Sequence, residues 1–373
     1  MSISEIKTYL SGEMKKETFP GFVYLVGNDK KIIESGYGGY KSIIPEKRRM
    51  CQDTVFDLAS ITKPLVTAAV IAKLFEMNML DSEAVIKTYL PELKSTDKGK
   101  IKIIDLLTHS SGLMAWYPLF IRAHSPEESA RFICAMPLHN APGTKVEYSC
   151  MGYILLASIV KRVTGKSIIE LYKEMILKKL QLKSVFFHSC EEKKKQAAAT
   201  ECGSEYEKKL ASNMNLTFDK WRNYVMQGEV HDSNCYFLGG ATGNSGMFCD
   251  VYDVYESARI FLEGTELFSR KSLALFYENR TSFDAEHRTA GWQLATSSNC
   301  GGRSLSPRAI GHSGFTGTSL WIEPEEKNIY ILLTNRIHPY VTDIIMNDIR
   351  DRFHKLSIKL TKGATHGSHV RKS

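Results

Sequence analysis

One stretch constrains this chain more than any other: Phe56-Asp57-Leu58-Ala59-Ser60-Ile61-Thr62-Lys63-Pro64-Leu65 sets a serine and a lysine three residues apart at the mouth of an apolar helix. Positions i and i+3 share a helix face, so the Ser60 hydroxyl and the Lys63 amine come within hydrogen-bond reach. Proline is tolerated only in a first helical turn, so Pro64 fixes the helix start near Ser60. Free backbone N–H groups and the positive dipole end then surround the hydroxyl, where an acyl-transfer transition state would place its oxyanion. Behind it Leu65, Val66, Ala68, Ala69, Val70, Ile71, Ala72, Leu74 and Phe75 are apolar nearly all round, the pattern of a helix buried on every side. The spacing alone also fits a surface pair at a helix start. Burial separates the two readings, because a buried lysine is expected to shed its proton and can then act as a base.

With 373 residues the chain can hold two domains or one large fold with an inserted lobe. Its 43% hydrophobic and 24% charged residues are those of an ordinary globular protein. Of the +8 formal charge, four units come from Lys359, Lys362, Arg371 and Lys372 in an acid-free end, so the body is only mildly basic. No basic stripe interleaved with aromatics points to nucleic acid, and Lys193 to Lys195 reads as a solvated face. The eight cysteines form no C-x-x-C pair and no metal-ligand spacing with histidine, so free thiols and no metal or cofactor are expected. No signal-length or membrane-length apolar run occurs; as given, the chain reads as cytoplasmic unless a leader has been removed.

Ile6, Tyr9, Leu10 and Met14 predict a short amphipathic helix. Phe22 to Val26 and Lys31 to Ser35 then predict two strands around the turn Gly27-Asn28-Asp29-Lys30. Helices dominate from Ser60 to about residue 280. They include one opened by Ser125-Pro126-Glu127-Glu128, one from Gly152 to Val163 stopped by Gly165, and one from Ser167 to Leu182. Asp253 is expected to cap a helix through Ile260, Cys190 to Lys209 to form a surface excursion, and Gly239 to Gly246 to form a tight structural loop without the lysine of a phosphate-binding one. Thr289 to Ala295, Thr318 to Glu323 and Asn328 to Asn335 predict strands, and Val341 to Leu356 a closing helix. The expected fold is α/β: an antiparallel sheet flanked by helices, formed by 1–80 and 285–358, a mostly helical lobe over 81–284, and a disordered basic tail over 359–373.

Four stretches in register, Ser60-Ile61-Thr62-Lys63, Leu106 to Leu113, Pro142-Gly143 with Tyr148-Ser149-Cys150, and Gly311 to Gly317, resemble the serine β-lactamase and penicillin-binding-protein-like hydrolases, in the branch related to class C β-lactamases and carboxylesterases. The resemblance covers about residues 20 to 355, and Gly228-Glu229-Val230-His231-Asp232 with Gly239-Gly240 resembles the signature of one subgroup. It implies a β-lactamase/transpeptidase-like fold and an acyl-enzyme on Ser60, with Lys63 and Tyr148 sharing the proton transfers. It also implies an oxyanion hole from the backbone N–H groups of Ser60 and Phe315, the latter following His312-Ser313-Gly314 on an edge strand. A phenol needs about 4 kcal/mol of electrostatic help to serve as a base near neutrality, which Lys63 and a protonated His312 would supply; a neutral Lys63 would be the base instead.

Two positions depart from the pattern. Cys150 stands where β-lactamases often carry asparagine, and His312 where penicillin-recognising members carry lysine, a histidine that resembles the esterase and peptidase branches. Cys150 as a rival nucleophile is set against a structural role, which is favoured. His109 is expected to make a structural hydrogen bond. His231 with Asp232 either touches substrate at the pocket rim or braces a loop, and Trp116, Tyr117 and Trp292 either wall the pocket or fill core. The expected activity is hydrolysis of a small ester or amide, carboxylesterase-like, with D-amino-acid peptidase or weak β-lactamase, and a silent binding scaffold, as alternatives.

Overall fold

The structure, a computed structural model of the chain, describes residues 4–93, 96–187, 191–240 and 242–367. Its centre is a seven-stranded sheet running Arg48–Arg49, Ile32–Ser42, Gly21–Asn28, Asn328–Thr334, Ser319–Glu323, Ile310–Ser313, Gln293–Leu294 in spatial order. Every pairing is antiparallel, and residues from both ends of the sequence supply it. Strand Gly21–Asn28 is buried almost throughout, because each face of the sheet carries helices. Phe22, Tyr24 and Val26 join Ile6, Leu10, Trp321, Tyr330 and Phe353 beneath the terminal helices Glu5–Lys15 and Met346–Gly367. Val23 and Leu25 turn the other way, into the main core with Leu320, Ile322, Ile331 and Leu333. Trp321 lies opposite Gly311, where an added Cβ would come within 2.1 Å of the indole, so only glycine lets the two strands pair there.

Between the sheet-forming ends lies the helical part, dominated by the run from Ala59 to Glu76 and by Cys150–Thr164. The first of these is apolar on all sides because all sides are packed: Leu65, Val66, Ala69, Val70, Ile71 and Leu74 are essentially inaccessible. Ser125 caps Pro126–Ala135 by accepting from the Glu128 amide at 3.1 Å, and Gly165, at φ 75°, ends Cys150–Thr164.

Several boundaries differ from the sequence pattern. The second strand runs to Ser42, well past Ser35. Asp250, not Asp253, caps Val251–Arg259; the Asp253 carboxylate instead accepts from the Lys183 and Ser184 amides. The excursion expected after Cys190 is partly core: Ala199–Cys202 pairs with Val225–Gln227, and Ala197, Ala198 and Glu201 are buried, whereas Cys190 itself lies outside the described residues. The closing helix begins at Met346 and continues to Gly367, past the point where fraying is expected, because Phe353, Leu356 and Leu360 keep docking on the outer core. Residues 368–373 of the expected tail lie outside the described residues. Among the described residues no helix is long and apolar enough to cross a membrane.

Candidate active site

The Ser60 turn is built from beneath. Ala59 holds a left-handed φ of 47°, a conformation that costs an alanine energy and needs external support. Asp57 provides it: Oδ1 accepts from the Ala59 amide at 2.9 Å and Oδ2 from the His231 amide at 2.8 Å. Burial raises the Asp57 pKa, and those two amides oppose the rise. Ser60 follows in a 3₁₀ turn, Ala59–Ile61, and Lys63 opens a π-helical stretch, Lys63–Ala68, before regular α-helix resumes at Ala69. The wide π turn places Pro64 in its first residues, where its missing N–H leaves no intrahelical bond unmade.

Lys63 is wholly buried. Its ammonium has three N–H bonds and three acceptors: Ser60 Oγ at 3.0 Å, the Asn244 carbonyl at 2.9 Å and Cys150 Sγ at 3.6 Å. Burial works against its charge, but the potential anions at Cys150 and Tyr148 outweigh it, so its pKa lies above the ordinary lysine value. Its protonation is thus tied to those of Cys150 and Tyr148 and does not follow from burial alone. Asn244 belongs to the Gly-rich loop expected to be purely structural. That loop supplies a ligand to the lysine, and Thr67 Oγ1 donates to its Gly243 carbonyl at 2.6 Å.

Tyr148 arrives just ahead of Cys150–Thr164, whose cap is Ser149, with Oγ accepting from the Gly152 amide at 3.3 Å. The Ser149 amide donates to His109 Nδ1 at 3.0 Å, which leaves that imidazole neutral with its proton on Nε2. Burial, helped by Arg288, Lys63 and His312, keeps the His109 pKa well below its usual value. Its ring stacks 4.3 Å from that of Tyr148, so the expected structural role of His109 includes holding the phenol. Lys63 Nζ lies 5.0 Å from the Tyr148 ring centre and the Arg288 guanidinium 5.5 Å from it. Among the described residues the buried Tyr148 hydroxyl has no hydrogen-bond partner; burial raises its pKa, while the charge of Lys63 pulls it back.

Opposite Ser60 stands the end of strand Ile310–Ser313. Gln293–Leu294 lies beyond it, so this strand is next to the edge; Gln293 and Leu294 pair with its Gly311 and Ile310, so that among the described residues the edge strand's ladder stops short of His312 and Ser313. The turn that follows is stitched to the residues leading into Ser60: Thr316 Oγ1 donates to the Asp57 carbonyl at 2.7 Å and Thr318 Oγ1 to that of Leu58 at 3.1 Å. The Gly314 amide is spent on the Thr318 carbonyl at 2.9 Å, which makes Phe315 the next amide in line. The Phe315 ring lies against His231, Tyr206 and the Arg336 guanidinium.

A cleft of about 640 Å³ opens on these groups, lined among others by Ser60, Tyr148, His312, Arg288, Arg336 and Arg350. His312 is neutral. Its Nδ1 bonds the Ser313 carbonyl at 3.0 Å, and burial with Arg288 and Lys63 drives its pKa well below the usual histidine value. It cannot be the second cation expected beside Tyr148; Arg288 is. Arg288 pairs with Glu286 at 2.7 Å, but among the described residues neither Arg336 nor Arg350 has a carboxylate partner. Arg350 is buried, and burial together with Arg336 pushes its pKa down to about 9.

Other expected rim residues lie elsewhere. His231 is 5% exposed, its Nε2 bonded to Glu201 at 2.8 Å, so it braces the Asp57 loop. Tyr117 packs on Phe132 and its carbonyl accepts from Asn234, and neither it nor Trp116 lines the cleft. Trp292 is core, packed on Phe261. Among the described residues no group of His, Cys, Asp or Glu side chains is placed to hold a metal ion.

The model of the family described as Beta-lactamase matches residues 6–353. An N-acetylmuramyl-L-alanine amidase from Bacillus subtilis (strain 168) is 30% identical over 363 residues, 87% of this chain and 79% of that protein. Among solved structures, an octameric penicillin-binding protein homologue from Pyrococcus abyssi superposes with a TM-score of 0.73 at 21% identity, over 96% of this chain and 78% of that one. A family VIII carboxylesterase superposes with a TM-score of 0.71 at 16% identity, over 96% and 99% of the two chains.

Proposed function

The chain belongs to the beta-lactamase family of serine hydrolases, and on that premise we propose that it cleaves small esters through an acyl-enzyme on Ser60. The observation that carries the reading is the 3.0 Å bond between Ser60 Oγ and a lysine with no solvent access. In this reading burial keeps Tyr148 a neutral phenol at rest, and Lys63 rests as an ammonium on its three acceptors. One of them must lose its proton before Ser60 can pass its own to the pair, so the reactive enzyme is the minority form, and raising the pH enlarges it. Ser60 Oγ then attacks the carbonyl, and its oxyanion forms beside the Ser60 and Phe315 amides. The pair returns the proton to the departing alcohol. Water, deprotonated by the same pair, releases the acid. Cys150, which carries no amide to meet the acyl portion of a peptide, supports an ester over a β-lactam.

A second reading rests on Arg336 and Arg350. Two neighbouring guanidinium groups without a carboxylate partner favour an anionic substrate, which suits a peptidase acting on a chain that ends in a free carboxylate. Steady-state rates on p-nitrophenyl acetate, nitrocefin and a D-alanyl-D-alanine peptide separate the two. The ester reading expects the acetate to be turned over fastest, with Ser60→Ala inactive. Fast peptide cleavage with a slow acetate reaction would replace it with the peptidase reading, and activity surviving in Ser60→Ala would remove both.

A further inference from the structure

Asp57 and His231 stand behind the reacting groups, and neither lines the cleft. Together they reach both residues whose amides would meet an oxyanion. On one side the Asp57 carboxylate takes the Ala59 amide at 2.9 Å and the His231 amide at 2.8 Å, which keeps Ala59 left-handed and so sets the direction in which the chain enters Ser60. On the other side the His231 imidazole stacks on the Phe315 ring, with centroids 5.5 Å apart and planes inclined by 30°. That imidazole is held in turn, because its Nε2 is bonded to the buried Glu201 at 2.8 Å. The second Glu201 oxygen accepts from the Tyr206 amide at 2.9 Å, and the Tyr206 ring also packs on Phe315, 4.8 Å away. Arg336 Nε donates to the Phe315 carbonyl at 2.9 Å, so this residue is gripped by ring and backbone alike.

We propose that His231 is a positioning residue for the oxyanion hole: through its amide and Asp57 it fixes the Ser60 side, and through its ring it fixes the Phe315 side. Two amides that must converge on one oxygen at roughly 3 Å tolerate little relative movement, and His231 ties both to one point. The inference rests on the acyl-enzyme reading and gives His231 no contact with substrate.

The test separates the ring from the hydrogen bond. His231→Gln keeps a donor for Glu201 but takes the ring from Phe315; His231→Phe keeps a ring there but leaves Glu201 unpaired. For each, kcat and KM on p-nitrophenyl acetate are measured beside a thermal melt and the Ki of phenylboronic acid, whose tetrahedral adduct on serine places an oxygen in the oxyanion hole. His231→Gln is expected to lower kcat about 10- to 100-fold with KM within threefold, and to raise the boronate Ki in step. His231→Phe is expected to melt lower yet keep more of kcat than His231→Gln. Asp57→Asn turns an NH2 toward one of the two amides and is expected to slow kcat by a similar factor; adding Ala59→Gly, which adopts the left-handed conformation freely, is expected to restore at least fivefold of it. The inference is overturned if His231→Gln keeps kcat and the boronate Ki within threefold, or if Ala59→Gly restores nothing to Asp57→Asn. Ser60→Ala is assayed alongside: inactive Ser60→Ala with an unimpaired His231→Gln overturns this inference alone, whereas activity surviving in Ser60→Ala overturns the acyl-enzyme reading and this inference with it.

Discussion

Gly314, just past the strand carrying His312, packs against the turn that leads into Ser60. A Cβ added there would lie 2.5 Å from the Leu58 carbonyl oxygen and 3.2 Å from Ala59 Cβ, inside the turn that presents Ser60. Ordinary contact begins near 3.4 Å, so Gly314→Ala must drive the two backbones apart by about 0.9 Å. The third clash, with Thr318 Oγ1, is with a side chain that can rotate, but rotation breaks its 3.1 Å bond to the Leu58 carbonyl. That bond ties the turn containing Phe315 to the residues just before Ser60. A misplacement of about 1 Å between reacting groups costs roughly 100-fold in rate. Losing one buried hydrogen bond costs about 1–3 kcal/mol in stability, so the protein is expected to remain folded at room temperature. The assay is kcat and KM on p-nitrophenyl acetate beside a thermal melt. The expected result is a kcat about 100-fold lower, KM within threefold, and a Tm lower by several degrees. A variant that melts lower but keeps kcat within threefold would refute the claim that this contact sets the catalytic spacing.

Three other outcomes follow from the charges of the cleft. Because Lys63 and Tyr148 both titrate above their ordinary values, log kcat/KM for a neutral ester is expected to rise with a slope near one from pH 6 to beyond pH 9; a plateau by pH 7.5 would mean that one of them is already deprotonated at neutrality. Arg336→Ala is expected to lower kcat/KM about 10- to 100-fold for an ester bearing a carboxylate and less than threefold for a neutral one, and equal effects would deny Arg336 a charge-reading role. His312→Lys adds a buried cation beside Arg288 and Lys63, so its Tm is expected to fall by several degrees, and an unchanged melt would show that the site tolerates the added charge.

Local pattern carried the fold well where one physical cause dominated. The strand run Phe22 to Val26, the all-round apolar face behind Ser60, and Ser125-Pro126 as cap and first residue all became what their patterns predict. Ser60 and Lys63 stand out because they sit one turn apart, whereas Tyr148 was singled out only by the resemblance of its motif, since a tyrosine at a helix start otherwise reads as core. What the sequence hid was protonation and pairing across long separations. His312 looks half-charged in isolation, and only its packing against Arg288 and Lys63 makes it neutral. Arg336 and Arg350 belong to stretches with no motif, and they reach the cleft because the last strand and the closing helix end beside it. Asn244 was masked by its glycines: the loop reads as a turn, while its function lies in a backbone carbonyl that any residue could offer. His231 carried the opposite signal, a histidine beside an aspartate that resembles chemistry and serves to brace Asp57.

The central claim is a covalent bond between substrate and Ser60. Mixing the protein with a slowly deacylating p-nitrophenyl ester, quenching in acid and mapping the adduct by peptide mass spectrometry tests it directly. The account predicts one acyl group per chain on the peptide containing Ser60, absent in Ser60→Ala and strongly reduced in Lys63→Ala. An acyl group on Cys150, or one that survives in Ser60→Ala, would contradict it.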